Sequence, residues 1–249
     1  LKIKSILVSQ PKPSTDKSPY FELAKKHNLK IDFRPFIQVE GVPTKEFRQE
    51  RIDILEHTAV IFTSRTAIDH YFRIANELRI AIPETMKYFC ISEATAVYLQ
   101  KYIVYRKRKV FFGKVKFSDL MDLIVKHKSE KFLVPLSDIH KAEIPASLDK
   151  AKINYTKAIM YRTVSSDLSD LAEVNYDILV FYSPSGIKSL FQNFPEFKQN
   201  STAIAAFGPT THKAVKDQGL MLDIPAPIPS SPSMTMALDQ YITKINKGK

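Results

Sequence analysis

The sequence predicts an α/β protein of two similar units, each a parallel β-sheet covered by helices on both faces. Three observations carry this. Short β-rich runs recur as candidate strands at Ser5–Ser9, Ile31–Ile37, Ala59–Thr63, Tyr88–Ile91, Lys109–Phe112, Lys131–Pro135, Ala158–Thr163, Ile178–Tyr182, Ala203–Phe207 and Met221–Ile224. Segments with helical periodicity separate most of them, as at Thr66–Leu78, Ala94–Lys101, Ser118–His127 and Ser233–Ile245. Such regular alternation argues for doubly wound parallel sheets. The third observation is a weak internal repeat.

In that repeat, Val60-Ile61-Phe62-Thr63-Ser64-Arg65-Thr66-Ala67-Ile68 matches Leu179-Val180-Phe181-Tyr182-Ser183-Pro184-Ser185-Gly186-Ile187 in pattern. Further on, Phe89-Cys90-Ile91-Ser92-Glu93-Ala94-Thr95-Ala96 matches Ala205-Ala206-Phe207-Gly208-Pro209-Thr210-Thr211-His212. Both pairs read as strand, hydroxyl-rich turn, helix. Ile6-Leu7-Val8-Ser9 and Phe132-Leu133-Val134-Pro135 form a third pair, read as the opening of each half. Two extended segments of mixed polarity, Asp32–Val39 and Tyr155–Val164, look like connectors, and Pro35 demotes the first to an edge strand. The expected division is residues 1–34 plus 165–249 as one discontinuous domain and 43–154 as the second. Residues 35–42 and 155–164 are then a two-stranded hinge.

Composition sets the class. Of 249 residues, 44% are apolar and 25% charged, the balance of an ordinary globular protein. Cys90 stands alone, so no intramolecular disulfide is possible and a reducing compartment, the cytoplasm, is expected. No apolar run approaches the roughly 20 residues that span a bilayer. The first residues, Leu1-Lys2-Ile3-Lys4-Ser5-Ile6-Leu7-Val8, read as a strand rather than a secretory signal. The net charge of +11 favours an anionic partner: nucleic acid, an anionic lipid surface or a polyacidic metabolite. The densest basic run, Tyr105-Arg106-Lys107-Arg108-Lys109, leads into Val110-Phe111-Phe112 and reads as a solvated loop entering a strand. No aromatic stacking platform accompanies it, which speaks against nucleic acid.

Several chemistries lack their motifs. Glycine occurs only at 41, 113, 186, 208, 219 and 248, so neither GxGxxG nor GxxxxGK[ST] exists. The histidines are scattered without HExxH, no metal site is expected, and GxSxG is missing. What recurs is hydroxyl residues at strand-to-helix turns: Thr63-Ser64, Ser92, Ser137-Asp138, Ser183-Pro184-Ser185-Gly186 and Gly208-Pro209-Thr210-Thr211. In an open parallel sheet these turns crowd the carboxyl ends of the strands, where ligands bind. Helix N-termini there offer unpaired N–H groups and partial positive charge to carboxylates or phosphates. Pro184 and Pro209 suit the first helical position. Gly186 and Gly208 allow close approach of a ligand to the backbone. Each turn taken singly is an ordinary helix cap, worth about 1 kcal/mol. Together, on two facing sheets, they would line a cleft able to hold several carboxylates.

These stretches resemble the uroporphyrinogen-III synthase family. Phe62-Thr63-Ser64-Arg65-Thr66-Ala67-Ile68 resembles its phenylalanine-threonine-serine turn, and Phe181-Tyr182-Ser183-Pro184-Ser185-Gly186-Ile187 its serine-proline-serine-glycine turn. Ala206-Phe207-Gly208-Pro209-Thr210-Thr211 resembles its glycine-proline-threonine-threonine turn, the most specific of the set, and Ser231-Pro232-Ser233 also fits. The motifs run in family order over essentially the whole chain. Where the family's first strand often ends threonine-arginine-proline, this chain has Ser9-Gln10-Pro11, with Lys12 nearby. The Ser92 turn lacks a glycine that relatives often carry.

The resemblance implies two flavodoxin-like domains joined by a two-stranded ladder. It implies a monomer acting on hydroxymethylbilane, a linear tetrapyrrole with eight carboxylates. The reaction it implies is loss of the terminal hydroxyl, formation of an azafulvene, inversion of ring D through a spiro intermediate, and closure, with no metal or organic cofactor, no nucleic acid and no membrane. Tyr161 aligns with a tyrosine that the family places in the cleft and is the candidate proton donor. The expected substrate-binding set is Ser9, Gln10, Lys12, Thr63, Ser64, Ser92, Thr95, Ser183, Ser185, Gly186, Gly208, Thr210 and Thr211. Three other readings stay open: a non-catalytic two-domain protein binding a small polyanion, a nucleic-acid protein using residues 105–109, and a synthase fold without activity.

Overall fold

The computed structural model describes residues 2–172 and 174–247. The chain divides into two compact units, Leu1–Gln38 with Val164–Lys249, and Val39–Thr163. The strands in chain order are β1 (Ser5–Val8), β2 (Lys30–Phe33), β3 (Ile37–Gly41), β4 (Ala59–Phe62), β5 (Lys87–Cys90), β6 (Val110–Phe112), β7 (Phe132–Ser137), β8 (Tyr155–Ser165), β9 (Ile178–Phe181), β10 (Ala203–Phe207) and β11 (Ile224–Ala226). The helices are α1 (Pro19–His27), α2 (Thr44–Gln49), α3 (Arg65–Glu77), α4 (Glu93–Tyr98), α5 (Phe117–Lys126), α6 (Glu143–Lys150), α7 (Pro184–Asn193), α8 (Pro209–Asp217) and α9 (Met234–Lys247). Among the described residues no helix is long and apolar enough to cross a membrane.

The first sheet runs β2-β1-β9-β10-β11, and every pair is parallel. Numbered within its own unit that order is 2-1-3-4-5, the flavodoxin-like winding. The second sheet runs β3-β8-β7-β4-β5-β6, with parallel pairing from β8 to β6. The two sheets match position by position: β2 with β8, β1 with β7, β9 with β4, β10 with β5 and β11 with β6. Their order along the chain differs, because the chain leaves the first unit after β2 and returns to it at β9. The units are therefore one winding cut at two different points. The Ile6–Ser9 and Phe132–Pro135 pair occupies equivalent places in the two sheets. It does not open each half, since β7 follows β4, β5 and β6 in its unit.

Strict alternation of side chains explains why the strands read as unbroken apolar runs. Ile6, Val8, Ile178, Val180, Ala203 and Ala205 face a layer containing Tyr20 and Leu23 of α1 and Leu238 and Ile242 of α9. Leu7, Leu179, Phe181, Ile204 and Ala206 face Ile187 and Leu190 of α7 and Val215 of α8. The second sheet repeats the pattern. Val60, Phe62, Tyr88 and Cys90 meet Ile68 and Tyr71 of α3, while Ile61, Phe89, Phe132 and Val134 meet Leu120 and Ile124 of α5 and Leu148 of α6. Burial on both faces is what parallel strands require. Helix α3 shows the local logic: Ser64 caps it, and Ala67, Ile68, Tyr71, Phe72, Ile74 and Ala75 form its buried side.

The structure corrects two strands. Ile31–Ile37 is not continuous: β2 stops at Phe33 and β3 starts at Ile37. The Arg34 N–H still reaches Val8 O at 3.0 Å, but Pro35 has no N–H to extend the ladder. Phe36 then turns its ring into the core, 1% exposed. The expected strand at Met221–Ile224 begins only at Ile224. Met221 is bonded through both its N–H and its carbonyl to the Gln199 side chain, at 2.8 and 3.1 Å, and so is held off the sheet.

His57 is a buried weak point of the second unit. It is 4% exposed; its Nδ1–H donates to Asp53 O at 2.8 Å, and its Nε2 is buried without a partner among the described residues. Burial pushes its pKa below the ordinary 6.5, and nearby Lys131 adds to this, outweighing the Asp53 carbonyl and Glu56. The unfolded chain therefore binds this proton more readily than the folded one. The stability His57 protects is complete above about pH 6.5 and is lost as pH falls below it. Urea unfolding followed from pH 7.5 to 5 should give a shallower loss of stability in His57→Asn than in the parent protein. Identical slopes would remove His57 from the acid sensitivity.

Candidate functional site

In each sheet the parallel ladder sends every strand-to-helix turn to the carboxyl edge. The point where the winding reverses is where open α/β sheets hold ligands. In the first unit that point lies between β1 and β9, and Ser9 and Ser183 follow those two strands. The Ser9 N–H donates to Val180 O at 3.0 Å, so β1 stays paired up to the turn. Ser183 caps α7, its Oγ accepting from the Gly186 N–H at 3.2 Å. A Cβ on Gly186 would lie 3.7 Å from Ser9 Oγ and 3.8 Å from Ser183 Oγ. The structure thus brings Ser9, Ser183 and Gly186 together. Ser185 stands half-buried in the same first turn.

Two tyrosines stand beside them. The hydroxyls of Tyr182 and Tyr20 are 2.5 Å apart, and the Tyr182 ring lies 5.7 Å from that of Phe207. Burial raises the Tyr182 pKa, against the pull of the hydrogen bond from Tyr20. Neither tyrosine is singled out by its residue pattern, since Tyr20 in the first turn of α1 and Tyr182 after β9 both read as ordinary core.

The Gly208 turn is built differently. Gly208 has φ 88° and ψ 152°, a region essentially reserved for glycine, and its N–H donates to Ala226 O at 2.7 Å. Having no side chain, it cannot cap α8 as Ser183 caps α7, and Pro209 fills the first helical position. Thr210 is exposed and Thr211 is 1% exposed. His212 Nε2 lies 2.9 Å from both Ala206 O and Ala226 O. Carbonyls only accept, so Nε2 carries the proton and ties α8 to the ends of β10 and β11.

In the second unit the winding reverses between β7 and β4. Ser64 caps α3 by accepting from the Ala67 N–H at 3.0 Å, and half-buried Thr63 precedes it. Tyr161, on β8, places its hydroxyl 3.2 Å from Ser64 Oγ, and its ring stacks on His70 at 5.2 Å. Tyr161 is 8% exposed. Burial raises its pKa, while the hydrogen bond from Ser64 works the other way. At the end of β7, Asp138 accepts from the Thr163 N–H at 3.0 Å, the Ile139 N–H at 2.8 Å and Ser137 Oγ at 2.9 Å. Burial opposes its charge, but these donors hold the carboxyl below the usual range.

Other expected residues stand apart from these groups. Ser92 and Thr95 pair with each other, Oγ to Oγ1 at 3.1 Å, at the start of the short α4, and Thr95 is buried. Gln10 is exposed. Lys12 lines a separate depression of the first unit with Phe33, Arg34 and Asp170. Arg65, given no role by the sequence reading, sits at the first position of α3, exposed, with its guanidinium 5.3 Å above the Tyr98 ring. Among the described residues no cluster of three or more His, Cys, Asp or Glu could hold a metal ion.

A family model described as uroporphyrinogen-III synthase HemD matches residues 18–236. The uroporphyrinogen-III synthase of Chlorobaculum parvum is 22% identical, over 96% of this chain and 100% of that protein. Among solved structures, uroporphyrinogen-III synthetase of Helicobacter pylori is similar with a TM-score of 0.58 and 20% identity, covering 97% of this chain and 100% of that one. A mutant uroporphyrinogen III synthase of Thermus thermophilus has a TM-score of 0.52 and 13% identity, covering 98% and 99%. At these identities the structural likenesses speak for the fold.

The Gly208 backbone gives a direct test of the turn. Among the described residues, and apart from its two chain neighbours, none comes within 4 Å of where its Cβ would be, so space is not the obstacle and conformation is. Gly208→Ala should destabilise the protein by about 1–3 kcal/mol, read as a lowered denaturation midpoint. Gly186→Ala, with ordinary negative φ and contacts no closer than 3.4 Å, should cost less. Equal effects at both positions would contradict this account of the turn.

Proposed function

The chain belongs to the uroporphyrinogen-III synthase family, and from that premise we propose how its residues act. The activity is that of a hydro-lyase that cyclises a linear tetrapyrrole. The single observation that carries the residue assignment is the gathering of hydroxyls at both winding reversals: Ser9 and Ser183 both border Gly186, and Ser64 Oγ lies 3.2 Å from the Tyr161 hydroxyl.

The substrate, hydroxymethylbilane, presents carboxylates that need neutral donors and positive potential. The start of α8 supplies both. With no side chain at its cap, the first-turn N–H groups and the Thr210 and Thr211 hydroxyls are offered to a carboxylate at the positive end of the helix. Ser9, Ser183 and Ser185 take a second group at the start of α7, with the Gly186 backbone among them. Thr63 and Ser64 act in the same way at α3, and Ser92 and Thr95 at the start of α4. Gln10 and Lys12 take the outer reach of the substrate. Arg65 joins the set. A cation at the first position of a helix opposes the helix dipole, and Arg65 has no ion pair among the described residues. An arriving carboxylate relieves that mismatch.

Tyr161 is the proton donor. Its raised pKa keeps it protonated at neutral pH. Ser64 Oγ already accepts from the Ala67 N–H and can donate its own proton to the Tyr161 oxygen. That arrangement frees the phenolic proton for the departing hydroxyl and steadies the phenolate left behind. The C–O bond breaks, the hydroxyl leaves as water, and the azafulvene remains in its protonated, cationic form opposite the phenolate. Closure through a spiro intermediate then inverts ring D, and the Tyr161 phenolate takes up the proton that the pyrrole carbon sheds as the product ring is completed. No cofactor enters these steps. The main work of the binding groups is geometric, holding the two ends of the bilane so that attack falls on the substituted carbon. All these groups come from one chain, and the enzyme is taken to act as a monomer. Cys90, buried and unpaired, suits a reducing cytoplasm.

The test is an isomer assay: fresh hydroxymethylbilane with and without protein, oxidation to porphyrins, and separation of isomers I and III. Isomer III should dominate with the protein and isomer I without it. Tyr161→Phe should slow isomer III formation by roughly a hundredfold, and Thr211→Ala by about tenfold through loss of one hydrogen bond to a charged group. Well-folded variants with parental rate and isomer ratio would remove those residues from the mechanism. Isomer I in both tubes would leave a non-catalytic polyanion-binding protein as the better reading.

A further inference from the structure

The second unit holds a cavity of about 360 Å³ that the proposed reaction does not use. It lies against Met86 and Lys109, the residues immediately before β5 and β6. It therefore opens toward the amino edge of the sheet, whereas the turns assigned to the substrate follow the strands at the carboxyl edge. Its volume falls within the range of small-molecule pockets.

The walls are aromatic and already ordered. The Phe72 and Tyr102 rings stack at 4.5 Å with their planes 3° apart, and Tyr88 stacks on Phe62 at 6.0 Å and 9°. The Tyr102 hydroxyl is held by Asp69, which also accepts from Tyr98 at 2.8 Å. These bonds keep the wall in place without a ligand. Met86 and Ile82 complete an apolar lining.

The mouth is cationic. Arg106 and Lys109 line it. Arg106 meets Glu84 at 3.2 Å, but Glu84 is 82% exposed, so the pair is weak. Lys109 has no ion pair among the described residues, and the intervening Lys107 and Arg108 are exposed. Arg106 and Lys109 of the basic run thus line a pocket, a placement the run's composition alone did not reveal.

We propose that this cavity is a second ligand site, taking a small aromatic anion whose rings pack into the cavity beside Phe72, Tyr88 and Tyr102 and whose acidic group meets Arg106 and Lys109. Apolar walls select the ring system, and the net positive charge that Arg106 and Lys109 leave over Glu84 selects the anion. The site is independent of the substrate contacts proposed above.

The experiment is a fluorescence titration of the whole chain with 8-anilinonaphthalene-1-sulfonate, set against its uncharged analogue N-phenyl-1-naphthylamine. Saturable binding of the sulfonate is expected, with clearly weaker binding of the uncharged probe. The double variant Arg106→Glu, Lys109→Glu should weaken the sulfonate roughly fivefold and leave the uncharged probe unaffected. Ala81→Trp, which fills the mouth from an exposed lining position, should abolish the saturable phase for both. Isomer III formation should be unchanged in every variant. Sulfonate binding that survives both changes, or equal affinity for the two probes, would overturn the proposal. Should Ala81→Trp fail to fold, the charge reversal at the exposed rim still decides. Displacement of the dye by a single-stranded oligonucleotide, sensitive to the charge reversal but not to Ala81→Trp, would assign the basic run to a polyanion and also overturn it.

Discussion

A parallel ladder cannot be closed by a tight turn. Each return between neighbouring strands must travel the length of the sheet again, and in this chain it does so through a helix. Two consequences shape the molecule. Both faces of each sheet are covered, so the strands must be apolar at nearly every position, as Ala59–Phe62 and Ile178–Phe181 are, all buried. Every strand-to-helix turn also falls on one edge. A row of helix starts on that edge presents N–H groups and partial positive charge with no further design. Anion binding is thus latent in the winding before any particular side chain is chosen.

Side chains then decide which of those starts is open. Ser64, Ser92 and Ser183 each turn inward to accept from an N–H of their own helix. Their hydroxyls keep a proton to donate, but part of the helix end is already satisfied. Gly208 does the opposite, since a residue with φ 88° and no side chain leaves α8 without a side-chain cap. The backbone strain is held in place by the Gly208 N–H on Ala226 O and by His212 bridging the ends of β10 and β11. The turn that most resembles the family is therefore also the one with a distinct physical state.

The second sheet shows the same economy at Tyr161. A phenol in a mostly apolar layer holds its proton, and one hydroxyl neighbour, Ser64, aims it and tempers the shift. Stacking on His70 fixes the ring. At the other edge of that sheet, Phe72, Tyr88 and Tyr102 pack against each other's layers while leaving space beside them. Core packing and ligand space are set by the same rings.

The sequence by itself determined the α/β class, the division into similar units and the hydroxyl turns, because these rest on local signals. Apolar runs alternate with helical periods, and Ser, Thr, Gly and Pro stand at their junctions. Pro35 marked an interruption, although only the structure showed that it splits one expected strand in two. Tertiary structure decided what depends on distance along the chain. Ser9 comes beside Gly186, Ser64 meets Tyr161, and His212 reaches across to Ala226 only because parallel pairing carries remote segments to one edge. The matching of β1 with β7 in two windings cut at different points is likewise invisible to a linear repeat, since order along the chain and place in the sheet are independent. The same reason hid the pocket behind residues 105–109. A basic run announces charge, but its apolar walls come from α3, from residues before β5 and from Tyr102, which folding alone brings together.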